Sequence, residues 1–327
     1  MIRYILRRLL YIVFVFFILS ILMFVIYKSL PGDPARMMLE GSRETMDPEL
    51  YDRMYQDMRE QLGLDKPIYV QYFSWMSNLL RGEFGVSSVY KQKVINVIKT
   101  PMMSTIRLNI VSLVIVFLIT IPLGIATAVR KGSVFDNVVQ VLTIIGYSLP
   151  GFIIAILFIF VFAVKLRLFP ISGVSTPGVE LTGWAYHLDR AYYMVLPITV
   201  MVFSSLAGIV RYVRATMIDT LTMDYIRTAR AKGLREKVVI YSHAFRNAMI
   251  PFMTILISWF VSIFSGSVVI ENIFLYNGMG RIMFQSLMQQ DFMVVLAMQM
   301  FYVILSLTGY LIMDLAYVLV DPRVKLS

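Results

Sequence analysis

Apolar residues run along this chain in long blocks separated by polar stretches. The first block covers 9–27 and follows Arg3, Arg7 and Arg8. Its start resembles a secretory leader. The block is too long for one, however, and no small-residue cleavage site precedes Leu30-Pro31-Gly32-Asp33-Pro34. It is therefore expected to stay as a first membrane helix. Further blocks lie at 106–129, 138–164, 193–210, 251–270 and 293–320. Roughly 20 apolar residues cross a hydrocarbon core about 30 Å thick, and every block but the fourth meets that length. The fourth is short and holds Pro197, Ser204, Ser205 and Gly208, a content suited to packing against protein rather than lipid. The pattern predicts an all-α integral membrane protein with six transmembrane helices and both termini on one side.

Two polar segments are too long to be simple connectors. In the first, 29–103, Asp47-Pro48 predicts a helix start, an N-cap followed by proline. Tyr51, Met54, Tyr55, Met58 and Leu62 then share one face, and Gly63 ends the helix. Asp65-Lys66-Pro67 opens a second helix whose apolar side is Ile68, Tyr69, Tyr72, Trp75, Met76 and Leu79. A short basic stretch, 91–99, is expected at the membrane interface ahead of Pro101. Such a helical cap could pack on the outer helix ends, dock an external partner, or do both.

The second segment is 211–250. Leu221, Tyr225, Thr228 and Ala229 are expected on one face before Gly233, and Val238, Tyr241, Ser242 and Phe245 on one face after it. Glycine at the break permits a positive φ. The segment thus reads as a helix–turn–helix hairpin at the membrane surface. Asp224, Arg227 and Arg230 project at i, i+3 spacing, and small Thr228, Ala229 and Ala231 leave room for a close neighbour. A solvated basic face is the other reading of the same residues.

Composition agrees with the pattern: 58% of residues are hydrophobic and 15% charged, too little polar surface for a chain in water. With no cysteine and two distant histidines, His187 and His243, disulfides, thiolate chemistry and Cys/His metal sites fall away. The net charge of +10 is concentrated in Arg3, Arg7, Arg8, Arg130, Lys131, the 211–250 segment, Arg323 and Lys325. The short loops opposite carry Lys165, Arg167, Arg190 and Arg281. The positive-inside rule makes the richer side cytoplasmic. The charge then serves topology and contact with anionic lipid, not nucleic acid. No phosphate-cradling glycine loop is present, and the spans hold few charges: Asp314 in the last, with Glu271 and Arg107 at external ends.

The segment from Thr228 through Leu234, Thr-Ala-Arg-Ala-Lys-Gly-Leu, and the one from His243 through Pro251, including Arg246 and Asn247, carry a resemblance. They are similar to the peptide-subfamily variant of the "EAA" loop of ABC import permeases. Only Ala229 and Gly233 match that loop's general form, and the later proline is delayed to Pro251. Ser148-Leu149-Pro150, Phe169-Pro170-Ile171-Ser172-Gly173, the stretch from Glu271 to Gly280, and Asp321-Pro322-Arg323 extend the likeness over nearly the whole chain. The chain resembles the first of the two inner-membrane permeases of dipeptide, oligopeptide and nickel importers.

That resemblance implies a type I importer permease fold, with an N-terminal span (1–28), an external cap (29–103) and a five-span core (104–327). It implies that Asp224, Arg227, Thr228, Ala229, Arg230, Ala231, Lys232, Gly233, Leu234, His243, Arg246, Asn247 and Pro251 dock a cytoplasmic ATPase. The implied partners are a second homologous permease, two ATPase subunits that hold the ATP and magnesium, an extracellular substrate-binding protein, and membrane lipid. No cofactor is expected on this chain. Di- and oligopeptides are the expected cargo, with nickel chelates, glutathione and glycosides carried by related permeases. A stand-alone secondary transporter would need an intramembrane coupling carboxylate, a part for which Asp314 is the available residue. A membrane enzyme lacks a credible catalytic grouping.

Overall fold

In a computed structural model the described residues are 2–29, 32–39, 43, 46–249, 252, 259 and 262–320. In chain order the helices are α1 (Ile2–Ser29), α2 (Pro34–Leu39), α3 (Pro48–Gln61), α4 (Ile68–Leu80), α5 (Val94–Val129), α6 (Val134–Ser148) and α7 (Gly151–Phe158). They continue as α8 (Gly183–Leu221), α9 (Asp224–Ala231), α10 (Glu236–Val238), α11 (Val268–Ile273), α12 (Met279–Met288) and α13 (Phe292–Val320). The regular structure of the described residues is helical, apart from a lone bridge between Val86 and Lys93. Among the described residues four helices are long and apolar enough to cross a membrane: Leu6–Ser29, Val94–Val129, Gly183–Leu221 and Phe292–Asp314. A bent pair, Val134–Ser148 with Gly151–Lys165, adds a fifth when counted as one broken span. The expected span at 251–270, with Pro251, lies mostly outside the described residues.

Three expectations change. The span expected at 138–164 is broken, with a bend of 104°. Pro150 drives its neighbour Leu149 into extended backbone, φ −86° and ψ 129°, which ends α6 at Ser148. The short fourth span is the middle of a much longer helix, α8. Ala207, Val210, Val213, Met217 and Thr220 continue a buried stripe at helical spacing through the charged stretch that hydropathy rejected. Pro197 sits inside this helix and is buried. The 91–99 stretch does not end ahead of Pro101 either. Val94, Val97, Ile98 and Pro101 form one buried stripe, and α5 runs on through the proline.

The chain divides into two compact units. One comprises residues up to 103 with Ile282–Leu311. In it Asp47 caps α3 by accepting from the Glu49 N–H, as expected. The predicted face of α3 is its half-buried one. On α4, Tyr72 and Trp75 pack against Phe24, and Met76 and Leu79 are buried with Met300, while Ile68 and Tyr69 are exposed. Asp33 accepts from Tyr55 and Arg59, tying α2 to α3. Buried Asp291 accepts from the Ser87 hydroxyl and from the Ser88 N–H at 3.2 Å. The other unit comprises Ser104–Arg281 and the stretch that begins at Ile312. Its larger core holds Leu108, Val116, Ile125, Val202, Ile209, Val213 and Met217 together with Ile226, Ala229, Val239, Ile240 and Ala244. A hairpin after α8 thus shares a core with the spanning helices.

Candidate functional site: a hairpin built onto a spanning helix

The chain leaves α8 through a turn at Thr222 and Met223 and enters α9 at Asp224. Asp224 and Arg230 sit at the ends of α9 where each suits the helix dipole. At the far end the Gly233 N–H donates to the Arg230 carbonyl at 2.9 Å and the Leu234 N–H to the Ala229 carbonyl at 3.4 Å. This pair of bonds is a Schellman termination, which places the residue after the cap in the left-handed region. Gly233 has φ +75°, and a Cβ added there would meet nothing within 4 Å. Glycine is required here by backbone geometry and not by crowding within the chain.

Burial divides the expected residues into two groups. Ile226 is fully buried and Ala229 is 6% exposed, both facing the chain's own core. The smallness of Ala229 therefore serves packing into that core, and the face expected from Leu221, Tyr225, Thr228 and Ala229 is split, with Leu221 and Ala229 packed in the core and Tyr225 and Thr228 exposed. Asp224, Arg227, Thr228, Arg230, Ala231, Lys232, Gly233 and Leu234 are exposed. Beyond the turn, Val239–Phe245 is wound as a π-helix. Val239, Ile240 and Ala244 turn inward, and of the residues expected to share a face Val238, Tyr241 and Ser242 are exposed and Phe245 half-buried. His243 is half-buried, Arg246 and Asn247 are exposed, and the Asn247 amide donates to the His243 carbonyl at 2.7 Å. These residues lie on the arm that packs against α9; Pro251 lies outside the described residues.

Ion pairs brace the hairpin. Arg230 donates to both carboxylate oxygens of Glu236, at 2.7 and 3.2 Å, across the Gly233 turn. The Arg230 guanidinium holds the Glu236 carboxyl below its ordinary value, and Glu236 raises Arg230 in return. Arg227 lies 3.4 Å from Asp224, with both side chains largely exposed. Arg230 is thus already committed within the chain, and Arg227, Lys232, Arg235, Lys237 and Arg246 form the open basic surface.

Sequence reasoning missed a second strut. Arg214 on α8 makes a two-pronged ion pair with Asp136 at the start of α6, both contacts at 2.7 Å. Asp136, 1% exposed, also accepts from the Gly132 N–H at 2.9 Å. Bidentate guanidinium–carboxylate pairs fix geometry as well as energy. Here the pair fastens α6 to α8 not far before the hairpin begins. No spacing signal links the two residues, which are 78 apart in sequence.

A rigid, exposed, basic helix turn continuous with a spanning helix has no reactive group. Among the described residues no cluster of His, Cys, Asp or Glu could hold a metal ion. What the arrangement can do is join an exposed basic surface to the packed core of the spanning helices. Residues 120–326 match the family described as the inner membrane component of binding-protein-dependent transport systems, and residues 1–109 match the N-terminal part of such membrane components. The chain is 37% identical over 326 residues to the oligopeptide transport system permease protein AppB of Bacillus subtilis, covering 99% of this chain and 100% of the relative. It is 32% identical over 325 residues to the glutathione transport system permease protein GsiC of Escherichia coli, covering 99% of each. The chain belongs to this family: it is a multi-pass inner-membrane permease subunit of a prokaryotic peptide-family ABC importer, and not itself an enzyme.

Proposed function

We propose that this chain is half of the membrane path for di- and oligopeptides in an ATP-driven importer, and that the 224–234 hairpin couples it to a cytoplasmic ATPase. The observation that carries the reading is the division of the hairpin. Ile226 and Ala229 are sealed into the core of the spanning helices, while a basic face from Asp224 to Leu234 stays open. A partner that grips the open face moves α8 with it, and the Asp136–Arg214 pair carries α6 along. This is rigid-body switching between two packed arrangements. The six-span topology, with both termini cytoplasmic, follows from the charge distribution and the expected span at 251–270. A second homologous permease, two ATPase subunits holding ATP and magnesium, and an extracellular binding protein complete the machine. The 29–103 segment is proposed to seat that binding protein. The cargo reading draws on relatives named for oligopeptide and glutathione transport, since glutathione is itself a short peptide. The test is reconstitution of all subunits in liposomes. Uptake of labelled peptide should require ATP, binding protein and ATPase together. Uptake by this permease pair driven by an ion gradient without ATPase would refute the reading.

A further inference from the structure

Elsewhere on the spans, hydroxyl groups mostly bond back to their own helix. Thr199 donates to the Val195 carbonyl at 2.7 Å, Thr127 to Leu123 at 2.9 Å, Ser148 to Ile144 at 2.8 Å, and Thr308 to Ile304 at 2.8 Å. Such bonds hide a polar group from lipid. Around one cavity of about 370 Å³ in the larger unit Ser262 keeps the habit, donating to the Trp259 carbonyl at 2.6 Å, but other hydroxyls depart from it. There Asn109 and Ser112 on α5, Met201 and Ser205 on α8, and Trp259 and Ser265 beyond it come together. The Ser112 hydroxyl donates across to the Met201 sulfur on α8, at 3.7 Å, instead of to its own helix. The hydroxyls of Ser205 and Ser265 have no hydrogen-bond partner among the described residues. Hydroxyls left open on a cavity wall between spanning helices are available to something that passes.

The wall is also made rigid. The Asn109 Nδ2 group lies within 3.1 Å of three carbonyls, those of Ser262, Ile263 and Ser265, where the backbone leaves helical geometry. Backbone freed at membrane depth needs such a donor when it borders a cavity. With Nδ2 fixed by three acceptors, the Asn109 carbonyl oxygen is left as an acceptor with no partner among the described residues. Past this point Gly266 and Gly280 are in backbone contact, with no room for a Cβ on either. Glu271, 1% exposed, accepts from Thr105 at 2.8 Å and from the Arg281 N–H at 3.0 Å, which clamps the outer end of the wall. The described lining carries no charged residue.

We propose that this cavity is the section of the solute path contributed by this chain, and that it takes the backbone amide groups of a peptide. The inference rests on the importer reading above and adds its residues and chemistry. An uncharged wall with acceptors and hydroxyls of either polarity matches N–H and C=O groups that every peptide shares. It offers no counter-ion by which to choose side chains. The volume sits near the lower end of the range for small-molecule sites, about 300–1,000 Å³, enough for a segment of a peptide rather than the whole.

The chain has no native cysteine, which gives a direct test in the complete reconstituted importer. Single substitutions Ser112→Cys and Ser205→Cys are exposed to a charged methanethiosulfonate. Leu118→Cys on α5, 70% exposed and away from the cavity lining, is the control. Reaction at 112 and 205 should exceed that at 118 about tenfold or more, because a charged reagent enters water-filled space and not lipid. A labelled tripeptide pool delivered by the binding protein should slow it, whereas a disaccharide should not. Independently, Ser205→Ala should lower peptide uptake about two- to tenfold, the span of one hydrogen bond, whereas Leu118→Ala should leave uptake unchanged. Equal labelling at all three positions, protection by the sugar alone, or unchanged uptake by Ser205→Ala would each overturn the proposal. Labelling needs neither ATP nor transport. A failure of the importer reading would instead appear as ATP-independent uptake by the unmodified chain.

Discussion

Substitution at Gly233 separates what the hairpin needs for itself from what a partner needs of it. Gly233 holds φ +75°, and nothing lies within 4 Å of an added Cβ. Within the chain every side chain therefore meets the same obstacle, the backbone, which costs about 1–2 kcal/mol for an ordinary L-residue. Asparagine tolerates the left-handed region better than most. If the misturned hairpin does not couple, about 1 kcal/mol is a fivefold loss and 1.4 kcal/mol a tenfold loss. Gly233→Ala should thus lower stimulated ATP hydrolysis and uptake about five- to tenfold. Gly233→Asn should retain activity within about threefold. Gly233→Glu meets no more of this chain than Ala does, yet adds bulk and negative charge to a basic docking face. It should abolish uptake while the protein still inserts and still recognises loaded binding protein. The assay is ATPase activity of the reconstituted complex with and without binding protein, paired with peptide uptake. Full stimulated activity and uptake in Gly233→Glu would refute the coupling role of this turn.

Three further outcomes follow from the same geometry. Ile226→Ala empties a fully buried site and should destabilise the hairpin by about 2–5 kcal/mol, seen as protease cleavage near Leu234 in membranes at a lower temperature. Asp136→Asn leaves Arg214 without its carboxylate and should cost about 3–5 kcal/mol in thermal unfolding of the detergent-purified complex, whereas Asp219→Asn, at an exposed site on the same helix, should be near neutral. The Arg230–Glu236 pair acts through a carboxyl whose folded-state pKa is depressed, so its contribution is present above the ordinary value of 4.5 and is lost as pH falls through the folded value. Coupling by Glu236→Gln relative to the parent should accordingly be flat between pH 6 and 8, with a small defect at low salt that fades as salt screens the exposed pair.

The parts of this protein legible in its sequence are those governed by local rules. Asp47-Pro48, the stop at Gly63, the half-buried face of α3 and the positive φ at Gly233 all follow from caps, periodicity and glycine's freedom. Hydropathy found the long spans but cut α8 short, because charged Arg211 and Arg214 hide a buried stripe that periodicity alone would have carried to Thr220. Which side after the turn folds inward was not legible, since spacing groups Val238, Tyr241, Ser242 and Phe245 without telling that Val239, Ile240 and Ala244 are the buried set, and nothing in Val239–Phe245 announces its π-winding. The Asp136–Arg214 and Thr105–Glu271 pairs were unreadable for a different reason. Each joins residues far apart in the chain, and a single sequence holds no trace of which acid meets which donor. The alanine at 229 looked like clearance for a partner, and only burial shows that it is clearance for the chain's own core.

The central claim is that the open face of the hairpin sits in the ATPase. A photo-activated cross-linker attached at Thr228→Cys, Ala231→Cys or Leu234→Cys tests it directly, because the three positions are exposed and the chain has no competing thiol. In membranes of cells making the whole importer, all three should yield an adduct with the ATPase subunit, and its yield should change when ATP is trapped. The same cross-linker at Tyr69→Cys, exposed on the 29–103 segment, should give none. Adducts with the ATPase at Tyr69→Cys, or none at the three hairpin positions, would contradict the account.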